Sequence, residues 1–285
     1  MGKILVTGGN GFIGKHIIDY LLSKDYEIFS PSSLELNVTN DEDWSKWEDQ
    51  DIEHVIHLAG KTFVPDSWDH PEDFILTNAM GTLQAVTLCR KKRIGMTYIS
   101  AYIYGQSKSN PISEMAEINP NNPYAVSKYM GEEICAFYGK YFAMDITALR
   151  LFNVYGKGQS ARFLIPLIIN QALDGQSDII VQDLEPKRDY VYIDDVCRAV
   201  ECSISKTKGY NVFNVGSGVS YSVREIIEMV QKAAHTNKKV KSRQNVRRNE
   251  LNDVVADIEK IEKQWGWKPQ VTMEKGIEYC LEIAK

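Results

Sequence analysis

The chain has 285 residues, 44% of them hydrophobic and 25% charged, with a net charge of −5. That length suits one large domain or two modest ones, able to bury about three quarters of the unfolded surface. The acidic balance speaks against a general nucleic-acid binder, and no apolar run approaches the roughly 20 residues that a bilayer-spanning helix needs.

The amino-terminal MGKILVTGG carries an apolar run too short for a secretory signal, and Leu5 and Val6 leave no Ser or Thr where a myristoylation signal requires one. The five cysteines (Cys89, Cys135, Cys197, Cys202, Cys280) show no CxxC spacing and lie in apolar, helix-like contexts. They read as buried, reduced thiols of a cytoplasmic protein. The five histidines form no HExxH or Cys-His cluster, so no metal site is expected.

In chain order, the β-like runs KILVTG, EIFSPS, HVIHLA, MTYIS, DITALRL, DIIVQ and NVFNVG alternate with segments of helical period, such as Phe12, Ile13, Ile17, Ile18, Leu21 and Leu22. The alternation predicts an α/β fold: a doubly wound, Rossmann-type parallel sheet with helices on both faces. It loosens after residue 157. Longer helices are expected over 163–174 and 222–234, followed by the basic connector KKVKSRQNVRRNE. The expected division is a dinucleotide-binding domain over 1–157, taking the chain back near 189–215, and a smaller substrate-binding lobe over 158–285.

Gly8, Gly11 and Gly14 follow the first strand and open the first helix. A phosphate-binding turn needs this context: glycine permits positive φ and close backbone approach, and the helix offers unpaired N–H groups and a positive dipole end to a pyrophosphate. The spacing is GxxGxxG from Gly8, and the competing reading is a bare strand-to-helix turn. At the end of the second strand an acid would favour NAD and an arginine NADP. EIFSPSSLELN offers only the hydroxyls of Ser30, Ser32 and Ser33, which leaves NAD and NADP both open.

YAVSK puts Tyr124 and Lys128 one helical turn apart. Tyr20/Lys24 and Tyr104/Lys108 share the spacing, but only Tyr124 follows a turn-rich stretch, INPNNP, and opens a helix at the carboxyl end of the sheet, where open α/β sheets bind ligands. A neighbouring ammonium and the positive nicotinamide ring would lower a phenol from its ordinary pKa of about 10 and let it exchange a proton with a carbinol or ketone. Ser100 closes the strand MTYIS and is the candidate to polarise the same oxygen. The competing reading is an ordinary exposed Tyr and Lys.

The chain resembles the extended short-chain dehydrogenase/reductases that act on nucleotide sugars. The resemblance runs over nearly the whole length, on TGGNGFIG, HLAG, NAMGT, SAYIYG, YAVSK, RLFNVYG, RDYVYIDDV, NVGSG and RRNELNDVVADIEKIEKQWGWKP. It implies a catalytic triad of Ser100, Tyr124 and Lys128. It also implies an NAD(P)-binding set of Gly8, Asn10, Gly11, Phe12, Ile13, Gly14, Ser32, Ser33, Asn37, Val38, Leu58, Ala59, Gly60 and Asn78, with Tyr124 and Lys128. Substrate contacts are implied for Ser100, Ala101, Tyr102 and Asn153, with Arg188 and Arg247 on the diphosphate and Glu250 on the nucleotide's sugar.

The related 4,6-dehydratases carry an acid just after the catalytic hydroxyl. Here Ala101 and Tyr102 stand there, which argues against dehydration. Reduction of a nucleotide-linked 4-keto-6-deoxyhexose by NAD(P)H is the leading expectation and NAD-dependent 4-epimerisation of a nucleotide sugar the alternative. A redox-sensing regulator without chemistry is remote, because the tyrosine and lysine are both present. The helices near 72–93 and 124–142 are expected to flank the sheet together and to pair two copies into a homodimer, with no membrane or nucleic-acid partner.

Overall fold

A computed structural model describes residues 3–175, 178–244 and 251–284. Among the described residues there are twelve strands: β1 (Lys3–Thr7), β2 (Ile28–Phe29), β3 (Ile52–His57), β4 (Gly95–Ala101), β5 (Ile146–Leu151), β6 (Asn153–Tyr155), β7 (Asp178–Val181), β8 (Lys187–Tyr192), β9 (Tyr210–Val215), β10 (Ser220–Ser222), β11 (Lys239–Ser242) and β12 (Asp253–Val254). Six form the main sheet, in the order β2-β1-β3-β4-β5-β9, and every pairing in it is parallel. Their near-continuous apolar runs bury both faces, as parallel sheets require. The expected Rossmann-type fold is present, and β1 and β3 mark the point where the strand order reverses. A crevice for a ligand opens there, outside the carboxyl ends of the strands.

Helix Phe12–Leu22 packs Ile17 and Leu21 onto one face of the sheet, beside helix Ile193–Lys206. The other face carries helices Gly81–Lys92 and Pro123–Phe142, which seal a second core around Val55, Val86, Met96 and Ile146. The expected single helix over 72–93 is instead a short helix Pro71–Ile75, one π turn Leu76–Met80 and helix Gly81–Lys92. Gly131 lets the long helix lie close on β4: a methyl there would stand 2.9 Å from the Tyr98 ring and overlap its hydroxyl.

After β5 the chain leaves the main sheet. β8 joins β10 and β12, with β6 on its side, and β7 pairs with β11. Residues 193–206 are helical, and the strand that rejoins the main sheet is β9, against β5. Helices Leu164–Leu173, Val223–Ala234 and Met273–Ala284 pack on one another beside these short strands. Cys89, Cys135 and Cys197 are buried, and all five thiols are free. Among the described residues no helix is long and apolar enough to cross a membrane, and no group of His, Cys, Asp or Glu could hold a metal ion.

Candidate active site

The glycine turn is built so that side chains are excluded on its inner side. Gly8 has φ +74°, and a methyl on it would stand 2.7 Å from Ala59 N. A methyl on Gly14 would overlap Gly8 O and stand 2.7 Å from Gly9 Cα. Gly11 is exposed, with only Gly8 O within reach of a methyl, at 3.3 Å. Helix Phe12–Leu22 starts at Gly11 with no side-chain cap and no acid in its first turn. A close-approach turn leading to an uncapped, positive helix end fits the pyrophosphate of a dinucleotide. Asn10 is exposed at this rim, with Phe12 and Ile13 half-buried beside it.

The ends of β1 and β3 are locked by a buried pair. His57 Nδ1 and Thr7 Oγ1 share a 2.8 Å hydrogen bond, and Ala59 N donates to Thr7 Oγ1. Burial first, and then the Lys128 ammonium, push His57 down to about 3, so the imidazole stays neutral. This lock sets Leu58 and Ala59 against Gly8. Asn78, expected to touch cofactor, has its amide engaged elsewhere. Its Oδ1 accepts from Lys61 N, while Nδ2 donates to Lys61 O and Ser127 Oγ. A methyl on Gly60 would stand 2.7 Å from Asn78 Oδ1. The structure therefore gives Asn78 the job of holding the loop after β3.

At the end of β2 the hydroxyl nearest the turn belongs to Ser30: a methyl on Gly9 would run into its Oγ. Ser32 N donates to Glu35 Oε2 (2.8 Å), and Ser33 is exposed. Asn37 accepts from Thr39, and Val38 packs against Gly81.

Tyr124 opens helix Pro123–Phe142, capped by Asn122 Oδ1, which accepts from Ala125 N (2.9 Å). Its ring meets Phe74 edge-on at 6.4 Å. Lys128, one turn on, is buried with its ammonium over the Tyr98 ring, 4.3 Å from the centroid. The Lys128 ammonium by itself does not lower the Tyr124 phenol. Its packed surroundings push it well above the ordinary value, and the Tyr102 phenol adds to the rise. Burial pushes Lys128 itself down to about 8, which weakens the cation that was to do the lowering. Ser100 lies at the end of β4 and donates from Oγ to Glu132 Oε2 (2.9 Å), so its proton rests on a carboxylate. Ala101 is buried, and Tyr102 stacks on Phe152 with centroids 5.5 Å apart.

Of the expected substrate residues, Asn153 Nδ2 donates to Asp189 O (3.2 Å), and Arg188 Nη1 donates to Lys187 O and to Leu251 O (2.7 and 2.6 Å). Arg247 and Glu250 lie outside the described residues. The Arg188–Leu251 bond nonetheless ties β8 to the segment that follows them. Three residues that bear on this region were not picked out from the sequence. Asp189, fully buried, accepts from Ser217 N, Ser217 Oγ, Gly218 N and Ala256 N, and so fastens three chain segments beside Arg188. Glu132 and Arg150 form a buried ion pair behind Ser100. No sequence signal marks them, since an acid and a base far apart in sequence give no period or spacing. A further contact joins distant segments, where Arg162 donates to both Asp66 oxygens (3.1 and 3.2 Å) and stacks over Phe63.

Fold and site together define a dinucleotide-binding α/β protein with a tyrosine and a lysine set at the carboxyl end of its sheet. Residues 4–216 match the NAD dependent epimerase/dehydratase family, and the chain belongs to that family, the extended short-chain dehydrogenase/reductases. It is 31% identical over 268 residues to a GDP-6-deoxy-D-talose 4-dehydrogenase of Aggregatibacter actinomycetemcomitans, covering 91% of this chain and 90% of the other. The structure of RMD from Pseudomonas aeruginosa complexed with NADPH superposes with a TM-score of 0.91 at 28% identity, covering 99% and 98% of the two chains. A UDP-glucose 4-epimerase of Thermotoga maritima, solved with UDP-glucose, superposes at 0.89 and 27% identity, covering 98% and 97%. The cofactor is a nicotinamide dinucleotide, and the glycine turn, the uncapped helix end and the neutral His57 lock fit it.

Proposed function

We propose that the protein reduces the C4 ketone of a nucleotide-linked 4-keto-6-deoxyhexose. When bound, NADH or NADPH supplies the hydride. Residues 8–14 hold the pyrophosphate, and Ala59, Gly60 and Lys128 flank the nicotinamide end. Tyr124 delivers a proton from its hydroxyl to the ketone oxygen. An ordinary phenol already keeps its proton at neutral pH, as an acid that gives the proton away must. The observation that supports reduction over epimerisation is the end of β2, where Ser30 stands beside the glycine turn and no acid ends the strand to hold NAD tightly. The buried ammonium of Lys128 stabilises the phenolate left behind. Ala101 and Tyr102 supply no carboxylate beside the reacting carbon, which argues against dehydration.

Arg188, Arg247 and Glu250 are assigned to the nucleotide diphosphate and its sugar, on a smaller lobe built from residues 158–285 apart from helix Ile193–Lys206 and β9. Guanidinium forks suit a dianionic diphosphate. Free thiols throughout support a reducing, cytoplasmic setting. The name of the Aggregatibacter relative supports redox chemistry at C4 of a 6-deoxyhexose, while the Thermotoga structure supports a second reading, NAD-dependent 4-epimerisation of a nucleotide sugar.

One assay separates the two. Purified protein is mixed with NADH or NADPH and a panel of 4-keto-6-deoxy sugar nucleotides, and nicotinamide absorbance is followed. Stoichiometric loss of absorbance is the expected result. Interconversion of UDP-hexoses without added cofactor would overturn reduction in favour of epimerisation. Tyr124→Phe is expected to abolish turnover and spare cofactor binding.

A further inference from the structure

Residues 157–163 join β6 to helix Leu164–Leu173 and lie on the surface, all exposed except the half-buried Gln159. Their own bonds shape them. Gln159 Nε2 donates to Val154 O (2.8 Å), and two turns follow one another, from Gln159 N to Gly156 O (3.3 Å) and from Phe163 N to Ser160 O (3.0 Å).

The segment is tied to opposite faces of the main sheet. At its start a methyl on the buried Gly156 would overlap Ile193 and stand 3.5 Å from the Phe12 ring. His16, one helical turn beyond Phe12, donates from Nε2 to Lys157 O (2.7 Å). Both Phe12 and His16 belong to helix Phe12–Leu22, on the first face. At the far end Arg162 holds the Asp66 carboxylate, its guanidinium stands 3.6 Å from the Phe63 ring centroid, and Phe163 meets Phe63 edge-on at 6.1 Å. Phe63 caps helix Val64–Asp69 and Asp66 lies in its first turn. That helix packs on helix Pro123–Phe142, on the second face. β1 and β3 end between the two anchors, where Gly8 abuts Ala59. A chain fastened to one face at residue 157 and to the other at residue 162 therefore crosses the carboxyl end of the sheet at β1 and β3. A doubly wound sheet holds its dinucleotide at that place.

The two anchors differ in kind. The first is buried packing around Gly156. The second is an ion pair whose side chains are 55% and 50% exposed. Such pairs hold weakly and are screened by salt.

We propose that residues 157–163 form a strap over the cofactor crevice, hinged at Gly156 and Lys157 and latched by Arg162 on Asp66 and Phe63, and that opening of the latch sets how fast the nicotinamide dinucleotide enters and leaves. This rests on the placement of the pyrophosphate at residues 8–14. It suits a reductase, which exchanges cofactor in every turnover. The latch residues hold each other and not the dinucleotide, so loosening them speeds entry and exit alike and leaves the equilibrium affinity in place.

Stopped-flow fluorescence of NADPH or NADH, whichever binds more tightly, reads both rates with no substrate present. Association is followed on mixing with the protein, and dissociation on chasing with the oxidised cofactor. Asp66→Asn removes the ion pair and is expected to raise both rates about 2- to 5-fold. Arg162→Ala removes the ring contact as well and is expected to raise them about 5- to 20-fold. In both variants Kd stays within about twofold of the parent. Raising the salt from about 0.05 to 0.5 M should narrow the gap between the parent and Asp66→Asn. Reversing the pair, in Asp66→Arg/Arg162→Asp, should slow exchange again relative to Asp66→Arg alone.

Unchanged rates in Asp66→Asn and Arg162→Ala would overturn the strap. So would a higher Kd with an unchanged association rate, which is what a merely structural support gives. If the latch variants have no effect while Gly11→Ala weakens cofactor binding, the strap fails and the pyrophosphate placement stands. If Gly11→Ala binds cofactor as the parent does while the latch variants speed exchange, the placement at residues 8–14 fails and the strap stands.

Discussion

The Lys128 ammonium lies 4.3 Å from the centroid of the Tyr98 ring, in the core beneath the turn that carries Tyr124. The ring's negative face offsets part of the cost of burying a charge, yet burial still pulls Lys128 from 10.5 to about 8. A lysine whose folded pKa is depressed holds fewer protons when folded than when unfolded between those two values. Stability then rises with pH from about 8 to 10.5, and the penalty is fully present below 8. A shift of this size corresponds to roughly 3 kcal/mol before the ring's contribution of about 1 kcal/mol is subtracted. Lys128→Met is therefore expected to be about 2 kcal/mol more stable than the parent at pH 7 and inactive. The gain should shrink as pH approaches 10.5. Urea unfolding of both proteins at pH 7 and pH 10 measures it, and a Met variant less stable at pH 7 would show that the ring outweighs desolvation.

The glycine turn separates folding from binding by position. Gly14→Ala drives a methyl into Gly8 O and to within 2.7 Å of Gly9 Cα. Backbone has nowhere to retreat, so the expected cost is about 1–3 kcal/mol of stability together with loss of NAD(P)H binding. Gly11→Ala meets only Gly8 O, at 3.3 Å, on an exposed side. It should fold normally and lose cofactor affinity at least about tenfold, or roughly 1.4 kcal/mol, because the methyl occupies the side from which a pyrophosphate approaches. Melting curves and NADPH fluorescence titrations of the two variants distinguish these effects. Equal cofactor affinity for Gly11→Ala and the parent would remove that residue from the phosphate contact.

Much of this architecture was legible before any coordinates. The strands announced themselves because parallel strands buried on both faces are continuous apolar runs, and the glycine turn because only a few residues allow its backbone. The Tyr124–Lys128 pair was legible because, of three pairs with that spacing, it alone follows a turn-rich stretch and opens a helix at the carboxyl end of the sheet. What the sequence hid depends on contacts between distant segments. Asn78 lies in NAMGT, yet its amide turns to Lys61 and Ser127, which only the packing of the π turn against the loop after β3 decides. The hydrogen bond from Ser100 to Glu132, which arrives from another element, had no mark in the sequence either. Burial, which no spacing announces, pushes the Tyr124 phenol up and the Lys128 ammonium down.

Ser30 bears on cofactor choice. Its hydroxyl is what a methyl on Gly9 would strike, which sets it beside the glycine turn at the end of β2, the place where an acid or arginine reads the adenosine ribose in this fold. A serine there repels neither a 2′-hydroxyl nor a 2′-phosphate. Ser30→Asp is expected to weaken NADPH binding at least about tenfold while leaving NADH within a few-fold, since a carboxylate accepts from the ribose hydroxyls and repels the phosphate. Side-by-side titration with the two cofactors reads the ratio, and an unchanged ratio would take Ser30 out of the ribose contact.

The long helix Pro123–Phe142 leaves a stripe of apolar side chains uncovered on its outer side: Val126, Met130, Phe137 and Tyr141, with Tyr141 62% exposed. These fall at i, i+4, i+11 and i+15, one face of a helix. Ile75, Leu76 and Met80 are exposed on the neighbouring segment, which packs against the same helix. Contiguous apolar surface of this kind on two adjacent helices is what a partner covers, and a second copy presenting the same face would close a two-fold bundle. The expected solution state is a homodimer. Met130→Glu together with Phe137→Glu should convert it to a folded monomer, because each carboxylate would be desolvated in the interface and yet remain in water on the isolated chain. Sedimentation velocity with circular dichroism checks both halves of that statement. A parent protein that sediments as a monomer across the micromolar range would refute the homodimer.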